Sequence, residues 1–160
     1  MIHKPKIVAY TDGACFKNPG PGGWGVYILT SNHTAQMLKG SNVATTNNQM
    51  ELFGAIKVLE TLTVAYEIEI YTDSVYLKSG ITEWINKWQK NGWKTTNNQP
   101  VKNANLWRRL LIATKDHTIN WYWIKGHSHN IGNEIADSLA NLGKKQAIEM
   151  LDIESLSSSY

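Results

Sequence analysis

The sequence predicts an α/β fold: one mixed sheet with helices packed on it. Three observations carry this. Five short apolar runs rich in β-branched and aromatic residues read as strands. The first three follow one another through short turns, as an antiparallel meander does, whereas the last two alternate with helical patterns, as parallel crossovers require. The tripeptide Tyr-Thr-Asp closes two of the runs, as Tyr10-Thr11-Asp12 and Tyr71-Thr72-Asp73.

Taken in order, residues 5–12 form the first strand. Asn18-Pro19-Gly20-Pro21-Gly22-Gly23 is too rich in glycine and proline for regular structure and predicts a turn. Trp24–Leu29 is the second strand, Ser31-Asn32-His33 a polar turn, and residues 34–42 the third strand. Thr46 and Gln49 stand at capping-box spacing. The helix they open carries Leu52, Ala55, Ile56, Leu59 and Leu62 on one face. The fourth strand covers 66–72. A short helix from Ser74 is expected to break at Ser79-Gly80, with a second one over 82–90. Residues 95–100 are loop, 103–114 a helix, and 118–124 the fifth strand. Gly126–Gly132 is loop, and a final helix spans 133–145. Residues 1–150 read as one domain, and 151–160, with Ser crowded into the end, as a flexible tail.

Composition narrows the function. The chain has 160 residues, 42% of them hydrophobic, enough for one compact core. It lacks any apolar stretch of membrane-spanning length and begins without a signal-peptide pattern. The single Cys15, three residues after Asp12, cannot form an internal disulfide and suits a reducing, cytoplasmic compartment. Net charge is only +3, but Lys78, Lys87, Lys90, Lys94, Lys102, Arg108, Arg109 and Lys115 share residues 78–115 with one acid, Glu83. Trp84, Trp88, Trp93 and Trp107 lie in the same window. Basic residues interleaved with tryptophan suit a polyanion such as nucleic acid, although each of these residues taken alone also fits a solvated helical face over core tryptophans.

Side chains two apart on a strand share a face, so each Asp lies on the side of its Tyr at the strand's C-terminal end. Two such strands side by side would bring two carboxylates together, and these repel unless protonated or bridged by a cation. The alternative is that both are ordinary turn formers at strand ends. Glu51, in the second turn of the capped helix, and Asp137, near the start of the last one, complete a set of four acids at element ends. If the four converge, two Mg²⁺ ions would balance them, since hard oxygen ligands suit that ion. No zinc-type Cys/His spacing and no phosphate-binding glycine motif is present. By spacing alone, His127 in Lys125-Gly126-His127 fits either a proton shuttle or a plain surface histidine.

Five blocks taken together resemble a known family. They are Tyr-Thr-Asp-Gly-Ala-Cys with Asn18–Gly23, Thr46–Leu52, Tyr71–Ser74, Lys125-Gly126-His127, and Asn133-Glu134 with Asp137. In this order they closely resemble bacterial type 1 ribonuclease H over about residues 5–145. The resemblance implies the RNase H-like fold, with five strands, the first and fourth adjacent and parallel. It implies a monomeric endonuclease that cuts the RNA strand of RNA–DNA hybrids, leaving 5′-phosphate and 3′-hydroxyl ends. Asp12, Glu51, Asp73 and Asp137 would hold two Mg²⁺ ions, with Mn²⁺ able to substitute, and His127 would assist turnover. Asn18, Thr46, Asn47 and Asn48 would contact the hybrid. Trp84, Lys87, Trp88, Lys90, Trp93 and Lys94 would form a basic handle that also binds it. The chain departs from the pattern at Ala44 and Gln49, where relatives often carry Arg, and in the loop after His127, which lacks a common proline. An inert binding module on the same fold, or another two-metal nuclease, are the competing readings. The four acids speak against the first, and the Lys-Trp segment with the Thr-Asn-Asn turn speaks against the second.

Overall fold

The computed structural model describes residues 4–157. Its strands are β1 (Lys6–Cys15), β2 (Gly20–Thr30), β3 (Ala35–Thr45), β4 (Glu67–Thr72) and β5 (Thr118–Trp123). They form one sheet in the order β3-β2-β1-β4-β5. The first three strands pair antiparallel as a meander, and β4 pairs parallel with both β1 and β5. The helices are α1 (Asn47–Thr61), α2 (Val75–Ser79), α3 (Ile85–Lys90), α4 (Ala104–Thr114) and α5 (Ile131–Ser157).

The two Tyr-Thr-Asp copies lie in direct register, Tyr10 opposite Tyr71 and Thr11 opposite Thr72. Their rings stack at 5.1 Å, and Tyr27 on β2 and Tyr122 on β5 extend the row across four strands. On the other face Ile7, Ala9, Ile68 and Ile70 are buried in the core, to which α1 contributes Leu52, Ala55, Ile56 and Leu59 as its periodicity predicts. α1 starts at Thr46, whose hydroxyl accepts the Gln49 backbone N–H at 3.1 Å. The Gln49 side chain turns elsewhere, so only half of the capping box forms.

Four expectations need correction. The glycine-rich stretch is not wholly a turn, because β2 already begins at Gly20. Gly23 and Gly25 face α5, where an added Cβ would strike the backbone around Ala136 and Ala140. Their glycines therefore serve close helix-on-strand contact in addition to turning. Asp12 is not at a strand end, since β1 runs on to Cys15 paired with β2. It is β4 that stops, at Thr72. Ser79-Gly80 does not break the helix. Residues 80–84 continue it as a π-helical turn, and Gly80 makes room for the Trp107 ring. Finally, α5 extends to Ser157 and so takes up most of the segment assigned to a tail. Ala147 still packs against the protein, and nothing in 146–157 breaks a helix.

Gly25→Ala is expected to lower stability by about 1–3 kcal/mol by forcing α5 off β2. Urea denaturation measures this, and an unshifted midpoint would show that the helix can give way without cost.

Candidate active site

Because the β1–β4 ladder ends at Thr11 and Thr72, the next residue on each strand is released from pairing between these two strands. Asp12 stays in β1, and Asp73 enters the short link to α2. That link is fixed at both sides: the Ser74 N–H donates to Thr72 Oγ1 at 3.0 Å, and Ser74 Oγ accepts from the Leu77 N–H that opens α2. The Trp123 indole N–H, at the end of β5, donates to the Asp73 carbonyl at 2.9 Å. Gly126 backs directly onto the Asp73 carboxylate, which an added Cβ would have to push aside.

From the α1 side, Glu51 comes down on the same spot. One carboxylate oxygen from each of Asp12, Glu51 and Asp73 lies within 4.8 Å of the others. Asp12 is 4% exposed and Glu51 8%. The Gly13 N–H donates to Asp12 Oδ1 at 2.9 Å, whereas Glu51 Oε2 is buried with no partner. A buried carboxylate oxygen left unpartnered is costly unless something positive meets it.

The electrostatics agree. Burial pushes the Asp12 carboxyl up to about 8, with the charge of Asp73 and a hydrogen bond to Asp137 adding to the effect. Burial, then the charge of Asp12, holds Glu51 well above the usual carboxylate range. Burial also raises Asp73, although a hydrogen bond from Asp12 and the charge of His127 oppose it. Without a cation the group must retain protons; a divalent ion would displace them. The donors are all carboxylate oxygens, which suits Mg²⁺ or Mn²⁺ and not zinc.

Of the four acids expected to converge, three form the compact group. Asp137, in the second turn of α5, reaches Asp12 but stands outside the trio, and the Asn141 side chain donates to its carbonyl at 2.9 Å. His127 lies in the loop before α5, in left-handed backbone at φ 56°, on the Asp73 side. Asn18, Thr46, Asn47 and Asn48 meet where the β1–β2 turn touches the start of α1. There Asn18 Oδ1 accepts the Asn47 backbone N–H at 3.0 Å, so part of its role is structural. Lys87, Lys90 and Lys94 are exposed. Trp84, Trp88 and Trp93 are half-buried in a run of ring contacts that reaches Trp107, with Arg108 over Trp93. The core reading of these tryptophans is therefore correct in part. Sequence reasoning missed Trp123 and Gly126 as supports of Asp73. The glycine directly before His127 was the available signal.

A sequence model of the RNase H family, described as "RNase H", matches residues 4–145. The chain is 57% identical over 137 residues to a protein named Ribonuclease H from Chromohalobacter salexigens, covering 86% of this chain and 83% of that one. It is 53% identical over 144 residues to a Ribonuclease H from Orientia tsutsugamushi, covering 90% and 85%. Among solved structures, LC9-RNase H1, a type 1 RNase H with the type 2 active-site motif, superposes with a TM-score of 0.84 at 28% identity, covering 92% of this chain and 75% of that one. LC11-RNase H1 in complex with RNA/DNA hybrid gives 0.64 at 24%, covering 89% and 99%, a likeness of fold alone.

A carboxyl whose pKa is higher in the folded protein adds stability below its unfolded value, near 4, and that contribution is lost as pH rises toward about 8. In EDTA the protein should therefore melt at a lower temperature at pH 8 than at pH 5, and Asp12→Asn should reduce the difference. Added Mg²⁺ at pH 8 should raise Tm more in the wild type than in Asp12→Asn. Scanning calorimetry across pH checks both, and parallel curves for the two proteins would refute the buried-charge account.

Proposed function

The chain belongs to the ribonuclease H family, and on that footing we propose that it cleaves the RNA strand of RNA–DNA hybrids endonucleolytically, leaving 5′-phosphate and 3′-hydroxyl ends. The observation that carries this is the carboxylate trio, with Asp12 and Glu51 buried and Asp73 half-buried, and its unpartnered Glu51 oxygen. Asp12, Glu51 and Asp73, with Asp137 beside them, would hold two Mg²⁺ ions. Such a pair, when bound, supplies an activated water and stabilises the leaving oxygen of an in-line displacement. Mn²⁺ meets the same oxygen donors.

The chain's own residues position the substrate. Asn18, Thr46, Asn47 and Asn48 offer short donors and acceptors at one exposed turn, suited to sugars and phosphates along a shallow minor groove that displays 2′-hydroxyls. That groove is where RNA is told from DNA. The exposed Lys87, Lys90 and Lys94 neutralise phosphates farther along, on a base stiffened by Trp84, Trp88 and Trp93. His127, on a loop whose charge reaches Asp73, moves a proton at that edge of the site during turnover. We take residues 1–150 as one catalytic domain acting as a monomer in the cytoplasm, a compartment that suits the single free Cys15.

Matched hybrid, double-stranded RNA and double-stranded DNA, incubated with Mg²⁺ or with EDTA, provide the test. Only the hybrid should be cut, and only with Mg²⁺; equal cutting of all three, or cutting in EDTA, defeats the reading. Asp73→Asn should lose nearly all cleavage while keeping its circular dichroism spectrum. Replacing Lys87, Lys90 and Lys94 together by Ala should raise KM and reduce the log–log salt slope by about 2 units. An unchanged slope would leave the segment a purely structural part.

A further inference from the structure

Asp73 is the least enclosed member of the carboxylate trio. Asp12 and Glu51 are buried, whereas Asp73 is half-buried and stands where β4 has already ended. Packing alone does not place it. Its position comes from hydrogen bonds to the peptide units on either side.

Both units are fastened. The Thr72 carbonyl, in the peptide before Asp73, accepts the Ile124 N–H at 2.9 Å, which carries the β4–β5 ladder past the end of β5. The peptide between Asp73 and Ser74 is tied at both of its polar atoms. Its N–H donates to Thr72 Oγ1 at 3.0 Å, and its carbonyl accepts the Trp123 indole N–H at 2.9 Å. A residue has only two soft backbone angles. With the flanking peptides held, both angles of Asp73 are set, and they fix the direction in which its carboxyl group leaves the chain.

Trp123 is the unusual member of this arrangement. Thr72 is fully buried, so the bonds it makes are sheltered. Trp123 is 46% exposed, and an aromatic ring left so far in water is poorly explained by burial. Its indole nitrogen can only donate. Trp123 stands opposite Thr72 in the parallel register, yet its side chain reaches one residue further to grip the Asp73 carbonyl. Gly126 then backs onto the Asp73 carboxylate. The stretch from Trp123 to Gly126 thus meets Asp73 at its backbone and at its acid group.

We propose that Trp123 is a positioning residue for cation binding: its indole N–H locks the Asp73–Ser74 peptide and so holds the Asp73 carboxylate where one divalent ion can bridge it to Asp12 and Glu51. This rests on the cation site of the reading above and not on the choice of substrate. Groups that orient a ligand from outside the coordination sphere strengthen metal binding because the ligand need not be ordered when the ion arrives.

Trp123→Phe keeps an apolar ring and removes the N–H. Its Kd for Mg²⁺, measured by isothermal titration calorimetry on protein free of nucleic acid, should rise about tenfold. Hybrid cleavage should be slow at limiting Mg²⁺ and recover as Mg²⁺ is raised, with KM for the hybrid nearly unchanged at saturating Mg²⁺. A lower Tm with a wild-type Kd for Mg²⁺ would make the bond merely structural and overturn the proposal. A wild-type Kd for Mg²⁺ with weaker hybrid binding in EDTA, by fluorescence anisotropy, would make the ring a substrate contact and overturn it too. Wild-type protein that binds no Mg²⁺ would overturn the cation site and the proposal together. Wild-type protein that binds Mg²⁺ but cuts no hybrid would overturn the ribonuclease reading alone, with the comparison of Mg²⁺ affinities still deciding the role of Trp123.

Discussion

Parallel strands cannot be joined by a tight turn, so placing β4 beside β1 obliges the chain to travel over the sheet between β3 and β4. α1 is that crossing. It leaves the end of β3 at Thr45, is capped at once by Thr46, and passes over β2 and β1 with its apolar face down. The crossing is close: at Gly13 there is no room for a Cβ beneath the Met50 and Glu51 backbone. Glu51 is thereby delivered above Asp12 one turn into the helix. The same parallel register brings Asp73 alongside from the other strand. A slip of one residue would send one of the two aspartates to the opposite face and dissolve the site.

The second face of the sheet completes the enclosure. α5 lies on the glycines of β2, with small residues Ala136, Ala140 and Gly143 turned to them, and so carries Asp137 up to Asp12. Asp12 is thus approached by one helix from each face, and each brings a carboxyl group. Such an arrangement opposes folding, since it buries acids beside acids. The surrounding structure supplies the compensation through a continuous hydrophobic core beneath α1 and the aromatic packing around Trp107. Such a concentration of acids costs stability at a place that could hold a cation.

Much of this could be read from the residues. The repeated Tyr-Thr-Asp located the central pair of acids because a strand's period is rigid and both copies end in the same register. The α1 core face was legible because Leu52, Ala55, Ile56 and Leu59 keep helical spacing. Other features were hidden because they depend on contacts distant in sequence. Gly80 looks like a helix breaker until Trp107 is seen against it. Gly23 and Gly25 look like turn residues until α5 is laid across them. The length of α5 is hidden because the serines crowded at the end resemble a tail, although serine does not forbid a helix. The separation of Asp137 from the trio likewise depends on how α5 sits on β2, which no local pattern reveals.

The row of stacked tyrosines gives the protein an internal optical reporter. Tyr10 and Tyr71 stand two residues before Asp12 and Asp73 on the same strands, in contact with each other and with Tyr27 and Tyr122. Burial, then the charge of Glu69, raises the pKa of both phenols, so they ionise later than exposed tyrosines in an alkaline titration. Coupled transitions among stacked rings give a near-ultraviolet dichroism that depends on their mutual angle. Any event that spreads β1 from β4 at the carboxylate end therefore registers in the spectrum without a label, and the sheet can be followed while the acids gain or lose protons.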